Sequence, residues 1–383
     1  MKPVFRFISS YGFAVVLLLF LLVLTYLGTI EQVEHGLYAT QEKYFNSLFL
    51  VHDFGPIPVP LPGAYLLLIL FCVNLICGGI IRAPKGWSHM GILIAHLGIV
   101  LMLAGSFVTF KYSLNGHLSV YEGQSSNEFE SYHEWEIVVT GTDSSGSIIE
   151  AAIPQRVFTK LKHGKQKTFQ PASLPIDVTI GGYEPRAIPR SAAEGANPGA
   201  KIVDGFYIAR IPKSPGDANN IPGAYVTLTD KGSAEGQEGI LWGASQHPFT
   251  VTLAGKKWTA DLRRRRWTLP FTVTLDKFTH GLHPRTQMPK VFQSDITWID
   301  RGDVQKARIT MNEPFRHLGY TFYQSSWGKS KMPGGPKSST LAVVVNPTAN
   351  VPLYSTIIVT IGLLIHFARK LFKYLKTESA KWK

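Results

Sequence analysis

Cysteine is nearly absent from this chain of 383 residues, which contains only Cys72 and Cys77. Two cysteines exclude a disulfide scaffold and any Cys-rich metal cluster. They are five residues apart in an apolar stretch. On a helix they would lie about 140° apart, so no disulfide between them is expected. Motifs of nucleotide-binding and hydrolytic enzymes, such as G-x-G-x-x-G, G-x-S-x-G and H-E-x-x-H, are also missing, so nothing indicates a soluble enzyme of those classes.

Charged residues are missing from four long stretches of the sequence. These stretches contain 24, 28, 21 and 31 residues and run over Phe7–Ile30, Phe54–Ile81, Met90–Phe110 and Ser338–Ala368. Because a helix of about 20 apolar residues crosses a bilayer, we predict four transmembrane helices. The segment Lys111–Lys337 is polar and long enough for a domain of its own. The pattern therefore excludes both a wholly soluble protein and a pure bundle of membrane helices.

The net charge of +13 is unevenly distributed. Residues 1–10, the link 82–89 and the tail 369–383 together carry +9, although they are short and adjoin apolar stretches. Basic residues mark the cytoplasmic ends of membrane spans, so we predict that both termini are cytoplasmic. Since most of the charge has this explanation, it does not indicate nucleic-acid binding. The run Arg263–Arg266 is interpreted as a solvated strand or turn.

The charge pattern and the apolar stretches together predict the order of segments along the chain. The first apolar stretch is too long for a signal peptide and has no cleavage site after it, so we expect it to remain as a span. A bacterial cytoplasmic membrane is the expected location. The predicted segments are a cytoplasmic N-terminus (1–10), a first span (11–30), an external loop (31–63), a second span (64–81), a cytoplasmic turn (82–89), a third span (90–110), an external domain (111–352), a fourth span (353–368) and a basic cytoplasmic tail (369–383).

The external domain has the pattern of short β-strands, since segments rich in Val, Ile, Thr and aromatic residues alternate with turn residues. We predict an all-β sandwich or open barrel between the third and fourth helices, folded without disulfides. The hexapeptide Pro-Phe-Thr-Val-Thr-Leu occurs at 248–253 and 270–275, which is compatible with neighbouring arms of a hairpin, and 186–222 is predicted to be a long loop. The predicted strands are Trp135–Thr140, Ile176–Ile180, Ala224–Thr229, Phe249–Leu253, Phe271–Leu275, Ile296–Ile299 and Leu341–Val345.

Two histidines inside the predicted spans are the candidate functional residues, because ionisable side chains are rare in membrane helices. His96 lies in the third span and His366 in the fourth, both predicted in the cytoplasmic half of the bilayer. Two imidazoles at similar depth can coordinate one metal, or each can pair with a ligand from a partner. The alternative is a neutral histidine that is hydrogen-bonded to a neighbouring helix. His89 lies about 10.5 Å from His96 along the helix, so the two cannot bind one metal ion.

The third span also has a stripe of mostly small residues, which lets another helix pack closely. His96 lies about 130° from this stripe and is therefore predicted to face a different neighbour. The stripe consists of Gly91, Ala95, Gly98, Met102 and Gly105.

Several motifs resemble those of the ResB/CcsB family, whose layout is three spans, a large external domain and a fourth span. They are His96-Leu-Gly-Ile in the third span, Leu118-Ser-Val-Tyr-Glu-Gly-Gln at the start of the external domain, Met311-Asn-Glu-Pro-Phe-Arg-His-Leu-Gly-Tyr-Thr-Phe-Tyr-Gln-Ser-Ser-Trp, and Pro352–Arg369 in the final span. The third of these motifs is the most specific.

The resemblance implies a subunit of the System II cytochrome c biogenesis machinery. Such a subunit works with a ResC/CcsA-type partner, which carries a tryptophan-rich WWD motif, to move haem b across the membrane and attach it to the Cys-x-x-Cys-His motif of apocytochrome c. It implies His96 and His366 as haem ligands, with the iron held by this chain or shared with a partner histidine. A separate thioredoxin-like reductant is implied as well. The eight scattered tryptophans match one subunit rather than a fused synthase, so enzyme activity is not expected from this chain alone.

Two alternatives remain open at this point. One is a scaffold in the same complex, whose external domain docks apocytochrome or the partner while the partner alone binds haem. The other is a membrane-tethered sensor, although the short tail 369–383 offers no output domain. A transporter would need repeats and broken helices, which the spans do not show.

The charge pattern leads to a test of topology. Reporter proteins fused after Lys111 and after Lys383 are expected in opposite compartments, because one predicted span, the fourth, lies between the two fusion points. Reporter activity in intact cells measures the compartment. The same compartment for both fusions would contradict the predicted orientation.

Overall fold

The computed structural model describes residues 2–142, 146–161, 164–195, 199–216, 219–233, 235–286, 288–330 and 335–381. Met1, Trp382 and Lys383, which belong to the predicted terminal segments, lie outside the described residues. The chain forms two compact units. Unit 1 comprises Met1–Ser113 and Val345–Lys383, and unit 2 comprises Leu114–Val344.

Helices form most of unit 1, and four of those in the described part of the chain are long and apolar enough to cross a membrane. Four such helices indicate a membrane protein. The first of the four helices continues beyond the predicted apolar span. Its last turn is polar, so the apolar pattern of the sequence did not include that turn. The helices are α1 (Lys2–Ile8), α2 (Tyr11–His35), α3 (Leu37–Thr40), α4 (Ala64–Asn74, continued as a π-helix over Leu75–Ile81), α5 (Met90–Tyr112), α6 (Gln155–Phe158, in unit 2) and α7 (Val351–Lys381), with further short turns at Gln41–Phe45, Trp87–His89 and Ala192–Glu194.

Helices α2 and α4 pack around one apolar core, which includes Leu17, Leu24 and Leu67. The core continues into a two-stranded antiparallel hairpin formed by β1 (Phe49–Phe54) and β2 (Ile57–Pro62), since Leu50 is buried in the same cluster. The segment between α2 and α4 is therefore a folded cap on the helices rather than a free loop.

Helices α5 and α7 contact each other through their backbones. A Cβ atom added to Gly362 would lie 2.5 Å from the Ala95 nitrogen and 2.6 Å from the Gly91 carbonyl oxygen. Gly98 and Gly105 lie equally close to α7. The predicted small-residue stripe of the third span is therefore confirmed as a helix-packing face, and only glycine allows this separation.

Unit 2 is all-β apart from short helical turns, and its strands contain all seven predicted strand segments. Its strands are β3 (Leu114–Tyr121), β4 (Ser125–Thr142), β5 (Ile148–Pro154), β6 (Gln166–Phe169), β7 (Ile176–Glu184), β8 (Ala187–Ser191), β9 (Phe206–Arg210), β10 (Gly223–Asp230), β11 (Gly236–Trp242), β12 (Phe249–Leu253), β13 (Lys256–Leu282), β14 (Pro289–Asp300), β15 (Asp303–Thr310), β16 (Phe315–His317), β17 (Tyr320–Gly328) and β18 (Ser338–Val345).

The strands of unit 2 form a large sheet and two smaller sheets. The large sheet has the order β15-β14-β13-β4-β3-β18-β17-β16, with β12 paired to β13 and β5 paired to β4. A four-stranded sheet, β11-β10-β7-β6, packs on one part of it, and Trp135, Val178 and Trp258 are buried between them. This arrangement contains two sheets packed face to face over a shared core and agrees with the predicted all-β class.

Two sequence predictions about unit 2 are wrong. The hexapeptide copies are not hairpin arms of each other: Phe249–Leu253 pairs with Lys256–Ala260, whereas Thr272–Leu275 pairs with strand β14. They differ because β13 is long enough to change partners along its length. The predicted loop 186–222 contains strands β8 and β9, which pair as a hairpin despite a composition typical of turns.

The arginine run lies on β13 beside a row of glutamates on β4. Arg263 bonds to Glu136 at 3.1 Å, and Arg266 bonds to Glu130 at 3.1 Å. Arg265 bonds to Glu134 at 2.6 Å. Opposite charges on neighbouring strands stabilise a sheet. The run is thus confirmed as a half-solvated strand, and its cations are largely neutralised within the fold.

The glycine contact between α5 and α7 gives a stability prediction. Gly362→Ala is expected to lower the free energy of unfolding by about 1–3 kcal/mol, because the added methyl group meets backbone atoms that cannot move aside. Gly12→Ala adds the same group to α2, where nothing lies within 4 Å. Thermal unfolding in detergent measures both variants. Equal midpoints for the two would contradict close packing at Gly362.

Candidate functional site

The candidate site is built around the π-helical end of α4, where Gly78 and Gly79 are adjacent. π-helical turns occur frequently at functional sites. A Cβ atom on Gly78 would lie 2.8 Å from the Ser9 carbonyl oxygen, and one on Gly79 would lie 3.0 Å from His96 Nδ1. The two glycines therefore let this turn fit between the α1–α2 junction and helix α5.

His96 contacts this turn through a hydrogen bond of 3.0 Å between its Nδ1 atom and the Gly79 carbonyl oxygen. The Gly79 carbonyl is one of the last in the helix, and such carbonyls have no partner within their own helix. A carbonyl can only accept, so Nδ1 donates, and in the neutral form of the ring the lone pair then lies on Nε2. The His96 side chain is half-buried. As predicted, it faces a neighbour other than the one packed on the small-residue stripe.

His366 lies on the opposite side of this arrangement. A Cβ atom on Gly91 would lie 2.6 Å from the His366 nitrogen and 3.0 Å from its Cα, so the His366 backbone sits on the glycine face of α5. Its ring is half-buried and lies at 5.4 Å from the Phe367 ring.

The structure does not bring the rings of His96 and His366 together. Gly91 marks the level of His366, and His96 follows five residues later, which is about 7.5 Å along the axis of α5. Those five residues also turn the side chain about 140° away from α7. In the described part of the chain no hydrogen bond or ring contact joins them, and no cluster of three His, Cys, Asp or Glu side chains could hold a metal ion. The two rings therefore do not belong to one site in this structure.

His89 occupies a different setting from the two candidate histidines. It precedes the first residue of α5, and its Nδ1 atom lies 2.9 Å from the Ser88 hydroxyl. Among the described residues no hydrogen bond or ring contact joins it to His96, which agrees with the separation expected from the sequence.

Asn74 is a buried polar residue of α4 that sequence reasoning missed. Its side-chain amide donates a hydrogen bond of 3.1 Å to the Ser10 carbonyl oxygen, and it also bonds to the Ile8 carbonyl. Arg82 bonds to the Ser9 hydroxyl at 3.2 Å. These contacts hold the start of α2 against the π-helical turn. They therefore stabilise the turn whose carbonyl group orients the His96 ring. An amide inside a predicted apolar span was the available signal.

A second polar network, at the end of α2, was also missed. Glu31 accepts hydrogen bonds from Lys43 at 2.6 Å and from the Tyr44 hydroxyl at 3.2 Å, and Tyr44 also contacts His52 Nδ1. Burial and the nearby Glu31 carboxylate raise the pKa of the fully buried Tyr44, so this hydroxyl remains a donor. The network attaches the hairpin to the helix end. No motif in the sequence indicates it.

The aromatic segment 312–327 forms part of the core of unit 2. Phe322 is fully buried, and the buried Phe271 lies within 6.5 Å of the rings of Phe315, Tyr320 and Phe322. Trp327 stacks on the ring of Phe278 at 5.5 Å. This packing indicates that the segment forms internal strands of the β-core rather than a docking surface.

Comparison with known protein families gives a match to part of the chain. Residues 233–338 match the ResB-like family. The match runs from just before β11 to the first residue of β18, so it includes the arginine run and the aromatic segment. It confirms the resemblance predicted from the motifs. It contains neither His96 nor His366. No curated protein matches the chain.

The aromatic core of the matched region gives a stability prediction. Phe322→Ala is expected to lower the free energy of unfolding by about 3–5 kcal/mol, because it leaves a cavity among closely packed rings. Tyr323→Ala removes a similar ring from the next residue, which is 41% exposed, and is expected to have little effect. Urea unfolding of the intact protein compares the two. Normal unfolding of Phe322→Ala with loss of complex assembly would favour a docking surface instead.

Proposed function

We propose that this chain, whose residues 233–338 match the ResB-like family, is a cytochrome c biogenesis subunit and that its membrane helices hold haem for delivery to apocytochrome c. In this proposal the chain is one subunit of a System II synthase. Its termini are cytoplasmic and unit 2 is extracytoplasmic, in a bacterial cytoplasmic membrane. A ResC/CcsA-type partner with a WWD motif completes the complex, and a thioredoxin-like protein keeps the apocytochrome thiols reduced.

The observation that carries the proposal is the orientation of the His96 ring. Histidines that bind metals usually donate a hydrogen bond from their other ring nitrogen to a carbonyl or carboxylate. This bond selects the tautomer and orients the ring. His96 has this arrangement, with Nδ1 on the Gly79 carbonyl oxygen. Nε2 then carries the lone pair, and no hydrogen bond to it occurs among the described residues. A neutral imidazole with an open Nε2 is a suitable axial ligand for haem iron.

The same hydrogen bond also has a purely structural explanation. The carbonyls at the end of a helix carry partial negative charge and are stabilised by side-chain donors. The neighbouring Ile80 carbonyl accepts a hydrogen bond from the Lys85 ammonium group in this way. A test must therefore separate a residue that only donates to Gly79 from one that also binds iron.

His366 contributes a ligand position of its own in this proposal. Metal–nitrogen bonds are about 2 Å long, so two axial nitrogens on one iron lie about 4 Å apart. Helix α5 lies between the His96 ring and α7, which prevents both rings from approaching one iron in this arrangement. Each histidine is therefore proposed to meet haem together with a ligand from the partner subunit.

A scaffold function is the second candidate, and a specific observation favours it. The match to the ResB-like family lies entirely in unit 2 and contains no residue of the membrane helices. A docking subunit would need only this domain, and the partner alone would then bind haem.

Substitutions at His96 distinguish these functions. His96→Ala and His96→Gln are both expected to lower the haem that co-purifies with the complex, by about tenfold or more, because neither supplies an imidazole. His96→Gln keeps an amide donor for Gly79, so it should preserve folding. Absorption spectra of the purified complex measure haem, and added imidazole should partly restore it in His96→Ala.

Two further variants complete this experiment. His366→Ala is expected to reduce haem as well, whereas His89→Ala should leave it unchanged. Normal haem content and spectrum in both His96 variants, with the complex assembled, would contradict ligation and favour the scaffold function. Haem lost from His96→Ala but retained in His96→Gln would show that His96 acts only as a donor to the helix end.

A further inference from the structure

The hairpin of β1 and β2 lies between the first two membrane helices and has two very different edges. Its strands pair in antiparallel register, with Phe49 opposite Pro62, Val51 opposite Pro60 and Asp53 opposite Pro58. The sheet contains only these two strands. Each strand therefore has one edge that no other strand in the described structure covers.

The hydrogen-bond pattern shows which backbone groups point to these edges. The Gly63 nitrogen donates to the Leu48 carbonyl oxygen at 2.8 Å, so this pair belongs to the hydrogen-bonded set. Antiparallel pairs alternate between hydrogen-bonded and non-hydrogen-bonded positions. The next pair, Phe49 and Pro62, is therefore non-hydrogen-bonded, and so is every second pair after it. The N–H and C=O groups at these positions point away from the partner strand.

On β2 these outward positions are all proline, namely Pro58, Pro60 and Pro62. Proline has no N–H group, so this edge cannot donate to an added strand. Prolines at such positions are a common way to prevent unwanted pairing at sheet edges. The β2 edge is closed by its sequence.

On β1 the outward positions are Phe49, Val51 and Asp53, each of which has an N–H group. Phe49 is 72% exposed and Val51 is 52% exposed, and Asp53 is exposed too. Within the described residues no hydrogen bond uses their outward backbone groups. The opposite face of the hairpin is held on the helices by Leu50 and His52, so the open edge is presented on a supported strand.

We propose that the open edge of β1 binds an extended, basic segment of polypeptide by strand addition. Main-chain hydrogen bonds supply affinity in this mode, and alternate side chains supply selectivity. Residues 31–63 carry a net charge of −3, and Asp53 lies on the edge itself, so a segment with Lys or Arg is the complementary partner. This inference rests on the proposed function, in which an unfolded apocytochrome is the substrate. An unfolded chain can adopt the extended conformation that the edge requires.

Lipid is a poor occupant of this edge, although Phe49 and Val51 are apolar. Hydrocarbon cannot accept or donate hydrogen bonds, so open sheet edges do not occur in contact with lipid tails. A second copy of the chain could pair through the same edge. Antiparallel pairing about Val51 would place Asp53 opposite Phe49, which offers the carboxylate no cation. Charge therefore favours a basic partner over a second copy.

Val51→Pro tests the proposal, because it removes one outward N–H group without removing any bond between β1 and β2. The intact chain in complex with its partner subunit is titrated with a labelled, unfolded peptide that carries lysines around a Ser-x-x-Ser-His sequence. Fluorescence anisotropy should show binding about tenfold weaker for Val51→Pro, because one backbone hydrogen bond is lost and the adjacent ones are weakened. Val51→Ala keeps the N–H group and is expected to bind as the native chain does.

Hydrogen exchange on the native complex gives a second measurement that does not depend on a variant. The amides of Phe49, Val51 and Asp53 should exchange more slowly when the peptide is added. Unchanged peptide affinity in Val51→Pro with normal haem content, or unchanged exchange at all three amides, would overturn the proposal. Protection that is present without peptide would also overturn the proposal. Its loss on dilution would assign the edge to a second copy, and its loss on removal of lipid would assign the edge to lipid. Haem is measured separately. A native complex without haem would contradict the proposed function, and the peptide-binding test would remain valid.

Discussion

The arrangement of the membrane helices depends on the backbone contact between α5 and α7. Lipid tails are as apolar as leucine side chains, so helices in a membrane associate through close packing rather than through a hydrophobic driving force. Gly91, Gly98 and Gly362 supply that closeness, and each would clash with backbone or branched side-chain atoms if it carried a Cβ atom. Because this contact occupies one face of α5, the orientation of every other residue on the helix follows from it.

One consequence is the setting of His96. With the glycine face turned to α7, its imidazole reaches the π-helical end of α4 and donates to the Gly79 carbonyl. The bond satisfies a helix-end carbonyl and orients the ring at the same time. Asn74 and Arg82 stabilise the turn from the other side by contacts to the α1–α2 junction. A histidine that looks isolated in the sequence is thus supported by three helices.

The two units carry different kinds of evidence about function. Unit 2 contains the match to the ResB-like family and is stabilised by a row of Arg–Glu pairs and by closely packed rings around Phe271. Unit 1 contains the candidate ligands and the hairpin with one open edge. The family match therefore lies in a region of structural packing, whereas the chemistry proposed for the protein lies in residues that the match does not include.

The sequence by itself determined the features that depend on composition and short-range periodicity. Four apolar stretches were sufficient to identify the membrane helices, because a backbone in lipid must satisfy its own hydrogen bonds. Alternating β-branched residues located the seven strand segments of unit 2, and the spacing of Gly91, Ala95 and Gly98 identified a packing face. The same spacing placed His96 away from that face.

Only the tertiary structure decided which distant groups meet. The partner of His96, the separation of its ring from His366, and the different strands that pair with the two copies of the hexapeptide all depend on contacts between residues far apart in the chain. The prolines of β2 were visible in the sequence, but their closure of one edge became meaningful only once the register with β1 was known. Local pattern determines what each segment can form, whereas strand register and helix rotation are selected by the packing of the whole chain.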